Sequence, residues 1–136
     1  MRYLLDTNAV SEPKRTRPDP NAAAWLHGID PSALYISVLT LGEIENGIAK
    51  LASKNPHAAR MFGEWSQGIR SDFANRLLPV DLEIAETWGR ISAERSLPVV
   101  DALLAATAIV RNMTLVTRNV RDGADTGVKV LNPWDA

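Results

Sequence analysis

Apolar positions in this chain change period repeatedly, and each change marks an element. Tyr3-Leu4-Leu5 is a short continuous apolar run, as in a buried strand. Pro13 and Pro18 bracket a basic loop, Lys14-Arg15-Thr16-Arg17. Asp19 followed by Pro20 reads as a helix N-cap with proline at the first helical position, opening a helix to about Leu26. Leu34 to Ser37 reads as a second strand, and Leu41, Ile44, Ile48 and Leu51 then follow at helical spacing. Asn55-Pro56 opens a helix with Met61, Trp65, Ile69 and Phe73 on one stripe. Leu77 to Val80 is short and extended, and Asp81 caps a helix carrying Ile84, Trp88 and Ile91. Val99 to Val110 is nearly all apolar and Ala-rich, which predicts a central, buried helix. Thr114 to Thr117 and Val128 to Leu131 read as the last strands. Strands spaced by helices predict an α/β fold: an open, mainly parallel β-sheet with right-handed crossovers.

Composition sets bounds on this picture. A length of 136 residues with 46% hydrophobic positions suits one domain spanning residues 1–136 with a real core. The formal net charge of −1 gives no bulk attraction to nucleic acid or membrane, although a local basic rim stays open. With no cysteine there is neither disulfide nor thiolate metal site, which fits a cytoplasmic protein. No apolar run is long enough for a signal-peptide core or a membrane span.

Four acidic residues, Asp6, Glu43, Asp101 and Asp122, fall where strands or loops hand over to helices. An open α/β sheet gathers such points at the carboxyl edge of its strands. Clustered carboxylates repel one another, so gathering them implies a cation, and hard oxygen donors without Cys and with few His imply Mg²⁺ or Mn²⁺. Each acid also has a plain structural reading. Asp6 could cap a turn, with Thr7 and Asn8 as turn residues; as a metal carboxylate, it would have Thr7 and Asn8 orienting it. Thr40 and Glu43 have the spacing of a capping box, yet Gly42 weakens a purely structural helix start. Asp101 could be an N-cap, but a carboxylate beside Val100, Leu103 and Leu104 is costly unless paired or metal-bound. In Thr117-Arg118-Asn119-Val120-Arg121-Asp122, Asp122 and Asn119 compete to complete the site, with Asp125 further from the strand end. Lys14, Arg15, Arg17, Arg118 and Arg121 would give a cationic rim of the kind a phosphodiester substrate needs.

Other chemistries lack their residues. His27 and His57 have no second His nearby and read as surface or packing positions. There is no Gly-rich phosphate loop, no Gly-x-Ser-x-Gly elbow and no Cys nucleophile. A phosphatase of the haloacid dehalogenase kind needs a second Asp two positions after the first, where this chain has Asn8.

Taken in order, Leu4-Leu5-Asp6-Thr7-Asn8, Ser37 to Ile44 with Gly47, Pro98 to Ala108 with Asp101, and Thr117 to Asp122 resemble a PIN domain. The Ser11-Glu12-Pro13-Lys14-Arg15-Thr16-Arg17-Pro18 segment and the ending Gly127-Val128 to Asn132-Pro133-Trp134 resemble the FitB-like branch of the VapC toxins. One departure is Gly123 after Asp122, where the family usually has Phe. The resemblance implies a PIN-like sheet with helices on both faces, and a Mg²⁺- or Mn²⁺-dependent ribonuclease of a type II toxin–antitoxin system. It carries the acidic site over to Asp6, Glu43, Asp101 and Asp122, with metal on Asp6, Asp101 and Glu43. Thr7, Asn8, Thr117, Arg118 and Asn119 are expected around them. It further implies a homodimer, an inhibitory antitoxin, and operator DNA reached only through that antitoxin. The competing expectation is a non-catalytic binding module whose acids serve only as caps.

Overall fold

The computed structural model describes residues 1–121 and 126–135. Five strands, β1 (Tyr3–Leu5), β2 (Leu34–Ser37), β3 (Leu77–Leu78), β4 (Thr114–Val116) and β5 (Val130–Leu131), form one sheet in the order β3-β2-β1-β4-β5. Every pairing is parallel. β5 is shorter than the expected run from Val128, since only Val130 and Leu131 pair with β4.

The helices are α1 (Thr7–Ser11), α2 (Pro20–Gly28), α3 (Val38–Ala52), α4 (Pro56–Asp72), α5 (Leu82–Glu94) and α6 (Val99–Arg111). Their starts follow local chemistry. Asp19, Asn55 and Asp81 accept N–H bonds from Ala22, Ala58 and Ile84, as their spacing predicted. α3 begins earlier than the sequence suggested: Ser37 leaves β2 and immediately caps the helix through the Leu39 N–H. Thr40 is therefore fully buried inside α3, and the Thr40–Glu43 capping box does not exist. α6 ends at Asn112, whose left-handed backbone (φ 55°) suits an Asn cap.

Adjacent residues of β1 explain the two-sided packing. Leu5 packs with Val10, Ala22, Ile36, Ile44 and Val116 on one face, while Leu4 packs with Leu104, Ala105, Ala108 and Leu115 on the other. The alternation of a strand sends neighbours to opposite faces, so the apolar run of β1 requires helices on both. The Ala-rich α6 is buried as expected: Leu104, Ala105 and Ala108 meet the sheet, and Ala106 meets Ile84 and Ile91 of α5. Small alanines let a helix lie closely between two layers. None of the described helices is long and apolar enough to cross a membrane.

The strand order sets the position of the site. The chain builds outward from β1 to β2 and β3, then returns to lay β4 on the other flank of β1. The crevice at the carboxyl ends of β1 and β4 is thus the point where strand order reverses, the usual ligand position in open α/β sheets.

Candidate active site

Asp6 leaves β1 at this switch point, and its N–H bonds the Val116 carbonyl at the end of β4 (3.1 Å). Its Oδ1 accepts the Ala9 N–H (2.8 Å), so it caps α1. The same half-buried carboxyl lines a small cleft with Asp101, Leu104, Ala105, Leu115, Thr117 and Asn119. The capping and cleft readings of Asp6 thus both hold: one oxygen orients the side chain by bonding the helix start.

Asp101 comes from α6, the helix packed on the Leu4 face of the sheet. The cap position of α6 is Pro98, which offers no side-chain bond, and Asp101 lies in the first helical turn. It is therefore not the N-cap that its spacing allowed. The turn points it at the cleft, where the positive end of the α6 dipole favours a negative charge. The cleft has a volume of about 20 Å³, enough for about one water-sized or ion-sized occupant.

The electrostatics of Asp6 are informative. Burial pushes its pKa above the ordinary carboxylate value, and the negative charge of Glu43 pushes the same way. The Thr117 hydroxyl and the N–H groups of Ala9 and Asn8 oppose this without cancelling it. Thr117 Oγ1 also accepts the Asn119 N–H (3.0 Å), which fixes the turn after β4 beside Asp6.

Glu43 is exposed on α3 and lines a neighbouring groove, not the cleft itself. Thr7, the residue after Asp6, donates its hydroxyl to Glu43 Oε1 and ties the two sites together. Thr7 therefore orients Glu43 rather than Asp6. Asn8 is exposed, and its contribution at Asp6 is its backbone N–H. The exposed guanidinium of Arg118 lies 4.8 Å from the Trp134 ring centre, and Asn119 reaches the cleft. Asp122 and Asp125 lie outside the described residues.

The expected gathering of four acids is thus partly present. Asp6 and Asp101 share the cleft, and Glu43 stands close enough to act on Asp6 through its charge. Among the described residues, no three His, Cys, Asp or Glu side chains form a ready metal cluster. The donors that do converge are carboxylate, hydroxyl and amide groups, a hard set that fits Mg²⁺ or Mn²⁺ and offers nothing to softer metals. The raised pKa of Asp6 fits the same reading, because a buried carboxylate facing another acid lacks a counter-charge.

Reading the residues one by one overlooked Glu12. It is only 2% exposed, and its carboxylate accepts the Asp19 N–H (2.7 Å) and faces Arg15 (3.4 Å). The available signal was an acid placed directly before a proline and a basic run.

Beside α3, an open groove of about 340 Å³ is lined by Thr7, Ser11, Glu43, Ile44, Gly47, Ile48, Leu51, Phe62 and Trp65. Phe62, 37% exposed, meets Trp65 edge-to-face at 6.4 Å. The stripe expected on α4 is divided: Phe73 is buried and Trp65 and Ile69 are partly covered, while Met61 stays 48% exposed.

The PIN domain profile matches residues 3–122. Toxin FitB of Neisseria gonorrhoeae is 33% identical over 139 aligned residues, covering 96% of this chain and 97% of that protein. Plasmid stability protein StbB of Pseudomonas syringae pv. tomato is 31% identical, with 98% and 99% covered. The crystal structure of FitAcB from Neisseria gonorrhoeae superposes with a TM-score of 0.90 at 32% identity, covering 98% of this chain and 99% of that one. The parallel sheet, the switch-point cleft and these matches agree: the chain is a PIN-domain protein and belongs to the FitB-like branch of the VapC toxin family.

Proposed function

We propose that this chain, acting as a single PIN domain, is a metal-dependent endoribonuclease and the toxin of a type II toxin–antitoxin module. The observation that carries the reading is the cleft in which Asp6, from the end of β1, and Asp101, from the first turn of α6, meet with Thr117 and Asn119. Relatives named as ribonucleases support it, among them VapC ribonuclease Y4jK of Sinorhizobium fredii. Asp6 and Asp101 would hold Mg²⁺ or Mn²⁺, with Glu43 and Asp122 completing the site. The bound cation would stabilise the charge that grows on the scissile phosphate.

The chain's own groups have separate tasks. Thr117 holds the Asp6 carboxylate in place, and Ala9 N–H occupies its Oδ1. The Thr7 hydroxyl fixes Glu43 through Oε1, which leaves Oε2 as the oxygen that would take a proton from the attacking water. Asn119 lies at the cleft wall, where its amide can bond a phosphate oxygen. Basic residues of the rim would bind the RNA backbone.

The groove between α1, α3 and α4 is apolar along Ile44, Ile48, Leu51, Phe62 and Trp65, and it ends at Glu43. An amphipathic antitoxin segment laid there would cover the entrance to the site, the helix-in-groove mode of recognition. The relative solved as FitAB bound to an IR36 DNA fragment, at TM-score 0.88 and 33% identity, supports operator DNA as a partner reached through the antitoxin. The working form is a cytoplasmic homodimer.

The test is cleavage of single-stranded RNA by the purified chain with Mg²⁺, with Mn²⁺ and with EDTA, beside Asp101→Asn. Cleavage that needs the cation and disappears in a folded Asp101→Asn protein supports the reading. Wild-type cleavage by Asp101→Asn, or none under any cation, returns the chain to a binding module.

A further inference from the structure

Burying a carboxylate is unfavourable unless fixed donors replace water. Glu12 has such donors, and they define a device. Its Oε1 accepts from Asp19 N–H and its Oε2 faces Arg15, so one side chain closes the 13–18 loop from both ends. Burial pushes its pKa up, but the Asp19 N–H and, after it, Arg15 pull the other way, and the carboxyl is held below its ordinary value. Asp19 in turn caps α2 through the Ala22 N–H (3.0 Å), which anchors the far end of the loop to a helix.

Trp134 extends the device to the other side of the fold's carboxyl edge. Its backbone N–H donates to Asn132 Oδ1 (2.9 Å), and Asn132 Nδ2 donates to the Arg118 carbonyl (3.4 Å). The Arg118 guanidinium lies over the Trp134 ring, directly before the cleft residue Asn119. Asn21, on the helix that Asp19 caps, donates its Nδ2 to the Trp134 carbonyl (3.3 Å), so the two cationic arms are anchored to neighbouring parts of one packed face. The first presents Lys14 and Arg17, with Lys14 Nζ 5.9 Å from the Phe62 ring centre. Phe62 also lines the groove that contains Thr7 and Glu43, so the basic surface is continuous with the approach to the acidic cleft.

We infer that Glu12 is a positioning residue for the loop that carries Lys14 and Arg17, which together with Arg118, held over Trp134, form a surface for the backbone of single-stranded RNA. This rests on the ribonuclease reading of the cleft. The adjoining apolar groove suits a protein segment, whereas a surface lined by Lys14, Arg15, Thr16 and Arg17 suits a chain of phosphates. At a net charge of −1, such attraction has to be local, and cations on a floppy loop would lose entropy on every encounter.

The experiment measures binding of a fluorescein-labelled, mixed-sequence single-stranded RNA by anisotropy in EDTA, across a range of salt, and separately measures cleavage with Mn²⁺. Lys14→Ala/Arg17→Ala should lower the slope of log affinity against log salt by about 1.4, and Arg118→Ala by about 0.7. Glu12→Gln should weaken RNA binding and raise KM about fivefold, with kcat within about twofold of wild type. An unchanged slope in the Lys14/Arg17 variant overturns the inference even if Glu12→Gln fails to fold. So does a Glu12→Gln protein that loses thermal stability but keeps wild-type KM and affinity. If the Lys14/Arg17 variant loses antitoxin binding while its RNA slope is unchanged, the loop belongs to the protein partner and the inference also falls. Salt-dependent binding through these residues without cleavage in any cation would sustain the surface and refute the ribonuclease reading instead.

Discussion

Asp6 has two roles that substitution can separate. Its Oδ1 caps α1 through the Ala9 N–H, and its charge sits in a partly buried cleft with Asp101, under the influence of Glu43. Asn caps a helix about as well as Asp, so Asp6→Asn keeps the first role and removes the second; Asp6→Ala removes both. A cap is worth about 1 kcal/mol, and a domain of 136 residues loses about 3–4 °C in Tm per kcal/mol. In EDTA at neutral pH, Asp6→Asn should melt at or above wild type, with Asp6→Ala about 3–4 °C below Asp6→Asn. Acid should erase the advantage of Asn. A folded-state pKa above the unfolded value means that ionisation opposes folding. The penalty is absent below the ordinary carboxylate pKa, grows as pH rises, and is complete above the raised value. Metal should reverse the order. At about 100 times its Kd, a cation stabilises wild type by about 2.7 kcal/mol, or about 9 °C. A site weakened about a hundredfold by Asp6→Asn would gain only about 0.4 kcal/mol at the same concentration. Calorimetry with Mn²⁺ and with EDTA reads all three effects. The reasoning fails if Asp6→Asn is less stable than wild type in EDTA at neutral pH, or if it keeps the full metal-induced shift.

Other substitutions probe the remaining links. Thr7→Val removes the hydroxyl that holds Glu43 and should lower kcat about tenfold, part of what a positioned base supplies, while the metal-induced Tm shift stays at its wild-type size; single-turnover cleavage beside calorimetry checks this. Phe62→Glu with Trp65→Glu places charge in the α3–α4 groove and should abolish co-purification of the antitoxin; unchanged capture by a folded variant would put the antitoxin interface elsewhere. Arg76 donates to the carbonyls of Pro31, Leu34 and Asp72, each at 2.6 Å, and lies over Phe73. Arg76→Ala should therefore cost about 2–3 kcal/mol, or about 7–10 °C, with kcat unchanged; a melt within about 2 °C of wild type would contradict it.

The sequence by itself determined most of the framework, because its signals are local. Period changes located the strands and helices, and Asp19, Asn55 and Asp81 announced their caps through side chains that bond N–H groups three residues on. The continuous apolar run of β1 and the Ala-rich α6 required burial on two sides, hence a parallel sheet between helix layers. The same positions marked Asp6 and Asp101 as strand-end and helix-start acids. Tertiary structure decided what those local patterns leave degenerate. Ser37, rather than Thr40, became the cap of α3, because the chain turns into helix at the last residue of β2. Glu43 came to rest on a groove, where its charge acts on Asp6 and the Thr7 hydroxyl holds it, a contact between α1 and α3 that no spacing encodes. Glu12 looked like an ordinary surface acid in sequence. Its burial is matched by the Asp19 N–H, seven residues on, and by Arg15, both brought to it by the fold of the 13–18 loop. Pattern reports the face a residue prefers, whereas the partners of a buried charge are fixed only when distant segments pack together.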